Sequence, residues 1–303
     1  MWLFSRLTTF LGFILSGLIA TAVQAETIDA NSGDGFVALN RKIQCSLADS
    51  SPQVFEWSGF GYSRVPGEPD RKIFSLLGMN IRQCGQVEDP DKGIGYRLVS
   101  REIMLYLDPQ TGEILRTFDN PWTGEANEVI HVANDPVNQR PGFGINVDGS
   151  EKAFTYRDVN GQYLINYEIP LFYKNAMGGD YQKYVGGSYH ATEIFDFNGD
   201  VAELLDASKP VAYPVISWVR LAPWLPWMEM NGRAGMLYFN AMGRKLENYE
   251  QLSEVIKAEI AQQFPDYTTP PPLDDPRRNE TSWTFMKKII DSRTEEAATT
   301  PQH

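Results

Sequence analysis

The sequence predicts a mainly β protein, an antiparallel barrel or a sandwich, with one amphipathic helix near its C-terminus. Three observations predict it. About ten short apolar or alternating runs recur along the chain. Turn chemistry rich in Pro, Gly, Asn and Asp separates them. No regular strand–helix alternation of the kind a parallel α/β fold requires is present.

The runs follow in order. Residues 54–57 alternate apolar and polar, and 59–62 continue them. Pro66-Gly67-Glu68-Pro69-Asp70 then turns the chain into 72–79. Residues 96–107 form a long run of aliphatic, β-branched and aromatic residues. Asp108-Pro109-Gln110-Thr111-Gly112 is a hairpin turn into 113–118, and 128–134 is the next expected strand. Segments 154–158 and 162–167 flank Val159-Asn160-Gly161. Asn-Gly is the strongest short-range hairpin signal because both residues accept positive φ. Residues 191–197 end at Asn198-Gly199-Asp200, and 211–220 and 235–240 complete the set. The helix is expected over 249–264: Asn248 caps it, Gln251 sits three residues on, and Leu252, Val255, Ile256 and Ile260 make one stripe. Pro265 ends it.

The chain is expected to be exported. Arg6 is the only charge among the first 25 residues, residues 7–22 are apolar and uncharged, and Val23-Gln24-Ala25 precedes Glu26 as a cleavage site. The alternative is an uncleaved anchor, since the apolar stretch approaches a short span. No Cys follows the cleavage site to carry a lipid, and no Arg-Arg pair is present. The expected divisions are a signal peptide at 1–25, an N-terminal segment at 26–37 and a β-rich domain at 38–268. A proline-rich connector with a short docking helix at 269–291 and a disordered tail at 292–303 follow. Loss of Arg6 moves the net charge from −12 to −13. So acidic a chain excludes a nucleic-acid partner, which demands clustered Lys and Arg. No later segment is apolar enough for membrane insertion, so a soluble periplasmic or secreted protein is expected.

Cys45 and Cys84 are the only cysteines. In an oxidising compartment they form either a disulfide or a pair of buried thiols. A bond would close a loop worth about 4 kcal/mol on the chain-entropy model.

Candidates for chemistry are few. His303 ends the chain, which leaves His131 and His190 for proton transfer. His190 follows Gly186-Gly187-Ser188-Tyr189, where glycines could present it at a strand end, and it is the favoured acid–base residue. Strand alternation puts His190 and Glu193 on opposite faces, so a dyad needs a bulge. His131 either lines a pocket or sits satisfied in the core, with Asp135 as its alternative orienting carboxylate. Tempting motifs fail. Gly186-x-Ser188-x-His190 lacks the second glycine of a nucleophile elbow. Asp196-x-Asn198-Gly199-Asp200 misplaces the glycine of a calcium loop and ends at Ala207. Neither metal-ligand spacing nor a phosphate or dinucleotide loop appears, so no metal or cofactor is expected.

The stretch 217–230 is the most unusual. It holds Trp218, Trp224 and Trp227, three of the six tryptophans beyond residue 25, with Met228 and two prolines. Such a segment is either the wall of an apolar pocket or a plug at the end of a barrel. Arg82 and Arg101 are candidate buried cations for that pocket. The expected ligand is a small hydrophobic or aromatic molecule. Binding alone, cofactor-independent hydration, elimination or hydrolysis through His190 or His131, and a structural or partner-binding envelope role compete as functions.

Several segments carry a resemblance: Gly78-Met79-Asn80-Ile81-Arg82, Leu105 through Glu113, Asn120-Pro121-Trp122-Thr123-Gly124, His131 through Asn138, Tyr189-His190-Ala191-Thr192-Glu193, and Trp218 to Met228. With them the chain resembles the bacterial family called domain of unknown function 1838, over about residues 38–288. The resemblance implies one continuous domain and a shared site or core, and it brings no activity. By architecture alone, an exported barrel with an aromatic interior is similar to the calycins.

Overall fold

The computed structural model describes residues 26–173, 188–230 and 232–299. The expected signal peptide, Gly186, Gly187 and His303 lie outside the described residues. The chain opens with helix α1 (Gly33–Gln44), whose first turn is capped by Ser32 Oγ accepting from the Gly35 N–H at 3.0 Å. Three long antiparallel strands follow: β1 (Gln53–Arg64), β2 (Arg71–Asp89) and β3 (Gly93–Leu107). Short strands β4 (Thr117–Asp119), β5 (Ala126–Glu128), β6 (Val132–Asn134) and β7 (Gly142–Phe143) come next. The second set of strands is β8 (Arg157–Val159), β9 (Gln162–Tyr173), β10 (Tyr189–Asp200), β11 (Val215–Ala222) and β12 (Met236–Leu246). Helix α2 (Val201–Leu205) joins β10 to β11, and α3 (Glu254–Gln263) and α4 (Ser282–Thr299) end the described chain. Among the described residues no helix is long and apolar enough to cross a membrane.

Ten strands form one sheet in the order β6-β3-β2-β1-β12-β11-β10-β9-β8, with β7 also on β3, and every pairing is antiparallel. The two ends of the sheet do not pair, so it is not closed into a barrel. It is nonetheless strongly curved. β3 and β10 are five strand spacings apart, about 24 Å on a flat sheet, yet Glu102 and Glu193 border one cavity.

Alternation divides the sheet into an inner and an outer face. On the outer face of β1–β3, Val54, Met79, Ile81, Ile103 and Leu105 pack under Leu252, Ile256 and Ile260 of α3. Two plugs close the inner face. At one end α1 is tied to β2 by the Cys45–Cys84 disulfide, with Cα atoms 5.8 Å apart. There Lys245 Nζ donates to the carbonyls of Lys42 (3.0 Å), Ile43 (3.2 Å) and Cys45, which α1 leaves open at its C-terminal end. At the other end Trp227 packs against Phe74, Tyr106 and Phe118, and Trp283 and Met286 of α4 join the same cluster.

Asn160 and Gly161 adopt φ of 54° and 81°, as an Asn-Gly hairpin between β8 and β9 requires. Other expectations shift. α1 begins within the N-terminal segment expected at 26–37 and runs on past residue 38. The helix expected from residue 249 starts at Glu254, after a 3-10 turn at Tyr249–Gln251. Asn248 makes no side-chain cap, and the Gln251 side chain accepts from the Glu247 N–H at 3.0 Å instead. The strands expected at 113–118 and 128–134 shorten because β4 and β5 pair only with each other. The final helix continues to Thr299.

Candidate functional site

The inner wall is made possible by two glycines. Trp57 on β1 lies between Gly78 on β2 and Gly243 on β12, its cross-strand partners. A Cβ on Gly78 would stand 2.4 Å from the Trp57 ring, and one on Gly243 would stand 2.6 Å from Trp57 Cβ. Only a residue without a side chain lets the indole lie flat there. Phe55, Trp57, Phe195, Phe197 and Trp218 together wall a cavity of about 150 Å³. Ile169 and Tyr167 occupy inward positions on β9 beside the unclosed edge and are 40% and 37% exposed, which marks where solvent reaches the inner face.

Four charged side chains at inward positions on four strands also border the cavity: Arg82 (β2), Glu102 (β3), Glu193 (β10) and Arg220 (β11); a fifth charged lining residue, Glu56 on β1, turns its carboxylate outward to the Ser253 N–H at 3.0 Å. Arg220 Nη1 is 3.0 Å from Glu193 Oε1, and the other terminal nitrogen donates to the Tyr189 hydroxyl. The residual exposure of this pair, 16% and 17%, is surface that lines the cavity. Burial alone would lower Arg220, yet Tyr189 and Glu193 hold it above its ordinary value. Arg82 donates to two neutral oxygens, Asn80 Oδ1 at 2.6 Å and Gln44 Oε1 at 2.5 Å, and lies over the Phe55 ring. Burial lowers it to about 10, so it stays cationic at neutral pH. Glu102 accepts a long 3.5 Å contact from Asn134 Nδ2. Burial, followed by the charge on Glu193, raises Glu102 to about 7 against the opposing pull of Arg82, Arg220 and Asn80. Glu193 is thus ion-paired with an arginine while its neighbour exchanges a proton near neutrality.

The structure brings together some of the residues singled out in the sequence and separates others. Glu193, Arg82 and Trp218 meet at the cavity. His190 does not. β10 pairs with β9 and β11 without a register shift, so the alternation stays unbroken and His190 points outward against Phe172 while Glu193 points inward. His131 lies deep between β6 and Tyr106, where its Nδ1 accepts from the Tyr106 N–H at 3.1 Å. Burial and then the nearby Arg116 depress it to about 4, which keeps the imidazole neutral. It borders a smaller cavity of about 20 Å³ that shares Met104, Val132, Arg220 and Ser282 with the larger one. Asp135 faces away from both histidines and pairs with Arg101 (3.1 Å) and Arg277 (2.7 Å), so Arg101 belongs to the outer surface. Trp224 packs on Trp122 and donates its indole N–H to the Arg233 carbonyl. Trp224, Trp227 and Met228 therefore form the plug, and of the three clustered tryptophans only Trp218 touches the larger cavity.

Sequence reasoning passed over Glu102, Arg220, Trp57 and Phe195. A signal existed: Asn80-x-Arg82 and Ser100-x-Glu102 place polar residues at alternate positions of otherwise apolar strands, directly across from each other. Among the described residues no cluster of three His, Cys, Asp or Glu side chains could hold a metal ion.

A family model described as protein of unknown function (DUF1838) matches residues 50–290, and the chain belongs to that family. The match takes in every strand and the four charged residues of the cavity, and it begins after α1 and Cys45. No curated protein matches the chain.

Proposed function

We propose that this member of the domain of unknown function 1838 family is an exported binding protein. It holds a small molecule with an aromatic or similarly flat apolar body inside the curved sheet. The observation that carries the reading is the 150 Å³ cavity, with five aromatic side chains on its wall and four charged groups at its edge. Apolar walls with a few convergent polar groups are the usual make-up of a ligand site. A cavity of this volume in another protein accommodates benzene, so a single substituted ring is the matching size. The curved, unclosed sheet would serve such a ligand as a cup, with entry beside Ile169 and Tyr167. Export agrees with the leader-like residues 1–25 and with a Cys45–Cys84 disulfide, which persists in oxidising compartments. The test is native mass spectrometry of protein purified from its own host. A co-purifying small molecule that is lost in Trp218→Ala supports the reading. A bound mass that survives both Trp218→Ala and Phe195→Ala contradicts it.

Catalysis is a second reading, favoured by one observation: Glu102 is raised to about 7 while the neighbouring Glu193 is ion-paired with Arg220 at 3.0 Å. Two carboxyl groups whose environments differ in this way suit proton transfer at neutral pH. In that reading Glu102 moves the proton, and Glu102→Gln lowers turnover of the co-purified molecule at least about a hundredfold.

A further inference from the structure

The charges around the cavity do not cancel, and the imbalance identifies the polar group the ligand must carry. Arg220 is matched by Glu193 at 3.0 Å. Arg82 has no carboxylate within ion-pair distance among the described residues, and its contacts, Asn80 and Gln44, are neutral. A buried guanidinium without a counter-ion is costly. The Nε of Arg220 is likewise buried with no acceptor. Lys245 lies behind Phe55 with its Nζ occupied by helix carbonyls, and burial followed by the charge on Arg82 lowers it well below its ordinary value. The remaining acid, Glu102, forms no ion pair at contact distance and is neutral for much of the time near pH 7. The inner surface therefore offers one unpartnered Arg220 donor and an Arg82 charge with only neutral partners, beside aromatic faces.

Resting on the binding reading above, we propose that the cavity is a site for a monocyclic aromatic carboxylate, whose ring lies between Trp57, Phe195 and Trp218 and whose carboxylate is held by Arg82 and Arg220. Guanidinium groups suit a carboxylate because their N–H donors match its two oxygens in a plane. A cationic ligand would instead meet Arg82 with only Glu102 free to answer it. A neutral ligand would leave Arg82 without a counter-ion. The charged groups facing Glu102 are Arg82 from β2, Glu193 from β10 and Arg220 from β11, while Glu56, which also borders the cavity, turns its carboxylate to the outer face and accepts from the Ser253 N–H at 3.0 Å. Ionising Glu102 places a second negative charge beside the bound carboxylate, so affinity falls as pH rises through 7.

The test is isothermal titration calorimetry with benzoate, benzyl alcohol and benzylamine as probes, using the full chain and His190→Ala as a control. Benzoate should bind at least tenfold more tightly than either other probe. Its affinity should fall up to about tenfold between pH 6 and pH 8, following the neutral fraction of a group near 7. Glu102→Gln should remove that dependence, and Arg82→Met should abolish the preference for benzoate while benzyl alcohol still binds. Arg82→Lys, which keeps the charge, provides the comparison if Arg82→Met does not fold, and should retain part of the preference. Benzyl alcohol or benzylamine binding as tightly as benzoate would overturn the carboxylate assignment and leave the pocket standing. Failure of all three probes would overturn both.

Discussion

Replacing Glu102 with Gln should stabilise the protein more as pH rises. In the folded state burial and Glu193 raise Glu102 from 4.5 to about 7. The native protein therefore binds this proton more tightly than the unfolded chain does. Stability from the group is fully present below 4.5 and is lost as pH climbs through 7. Integrating the linkage for these two values gives a cost of about 0.8 kcal/mol at pH 5 and about 3.3 kcal/mol at pH 8. An amide of the same shape does not titrate. The advantage of Glu102→Gln over the parent should thus grow by about 2.5 kcal/mol between pH 5 and pH 8, or about 5–10 °C in Tm for a domain of this size. His131 acts with the opposite sign, since a depressed imidazole loses stability as pH falls below 6.5 toward 4. That effect is common to both proteins and cancels in the comparison. Circular dichroism melts at the two pH values measure it. An advantage that stays constant with pH, or that shrinks at pH 8, would show that Glu102 is not the buried, proton-holding group described here.

Three further outcomes follow from the packing. Gly78→Val drives a side chain into the Trp57 ring, starting from a 2.4 Å approach of its first carbon. It should destabilise by about 1–3 kcal/mol and abolish ligand binding, read by urea unfolding and tryptophan fluorescence; unchanged fluorescence would contradict the seat assigned to Trp57. The double variant Cys45→Ser with Cys84→Ser should lose about 4 kcal/mol in denaturant midpoints, and an unchanged midpoint would remove α1 from the stabilising framework. Ile256→Ala in α3 should cost about 2–5 kcal/mol yet leave benzoate affinity unaltered, because Ile256 is fully buried on the outer face; a loss of affinity would mean that the two faces are coupled.

The strands were legible because turn residues punctuate them. Asn160-Gly161 specified its hairpin, and the apolar run through Leu107 specified β3. The helix α1 was not legible, because its buried positions include Asn40, which bonds the Phe36 carbonyl one turn back, Arg41, which reaches the Leu47 carbonyl and Asp49, and Lys42, which reaches the distant Glu203 and Asp206 carbonyls. The site was hidden for a related reason. β3 is buried on both faces, under α3 outside and against the cavity inside, so Ile103-Met104-Leu105-Tyr106-Leu107 shows no alternation to say which way Glu102 points. The aromatic loop at 217–230 drew attention to a pocket, but most of that loop is the plug and the pocket lies beneath it. Separation of His190 from Glu193 was readable from strand period alone, and no bulge intervenes to alter it.

Whether the inner face of the sheet is a ligand site is decided by a crystal soaked with 4-iodobenzoate and measured at a wavelength where iodine scatters anomalously. One strong iodine peak is expected between Trp57, Phe195 and Trp218, with the carboxylate density against Arg82. A strong peak confined to the open groove between Glu125 and Arg293, with only water beside Arg82, would contradict it.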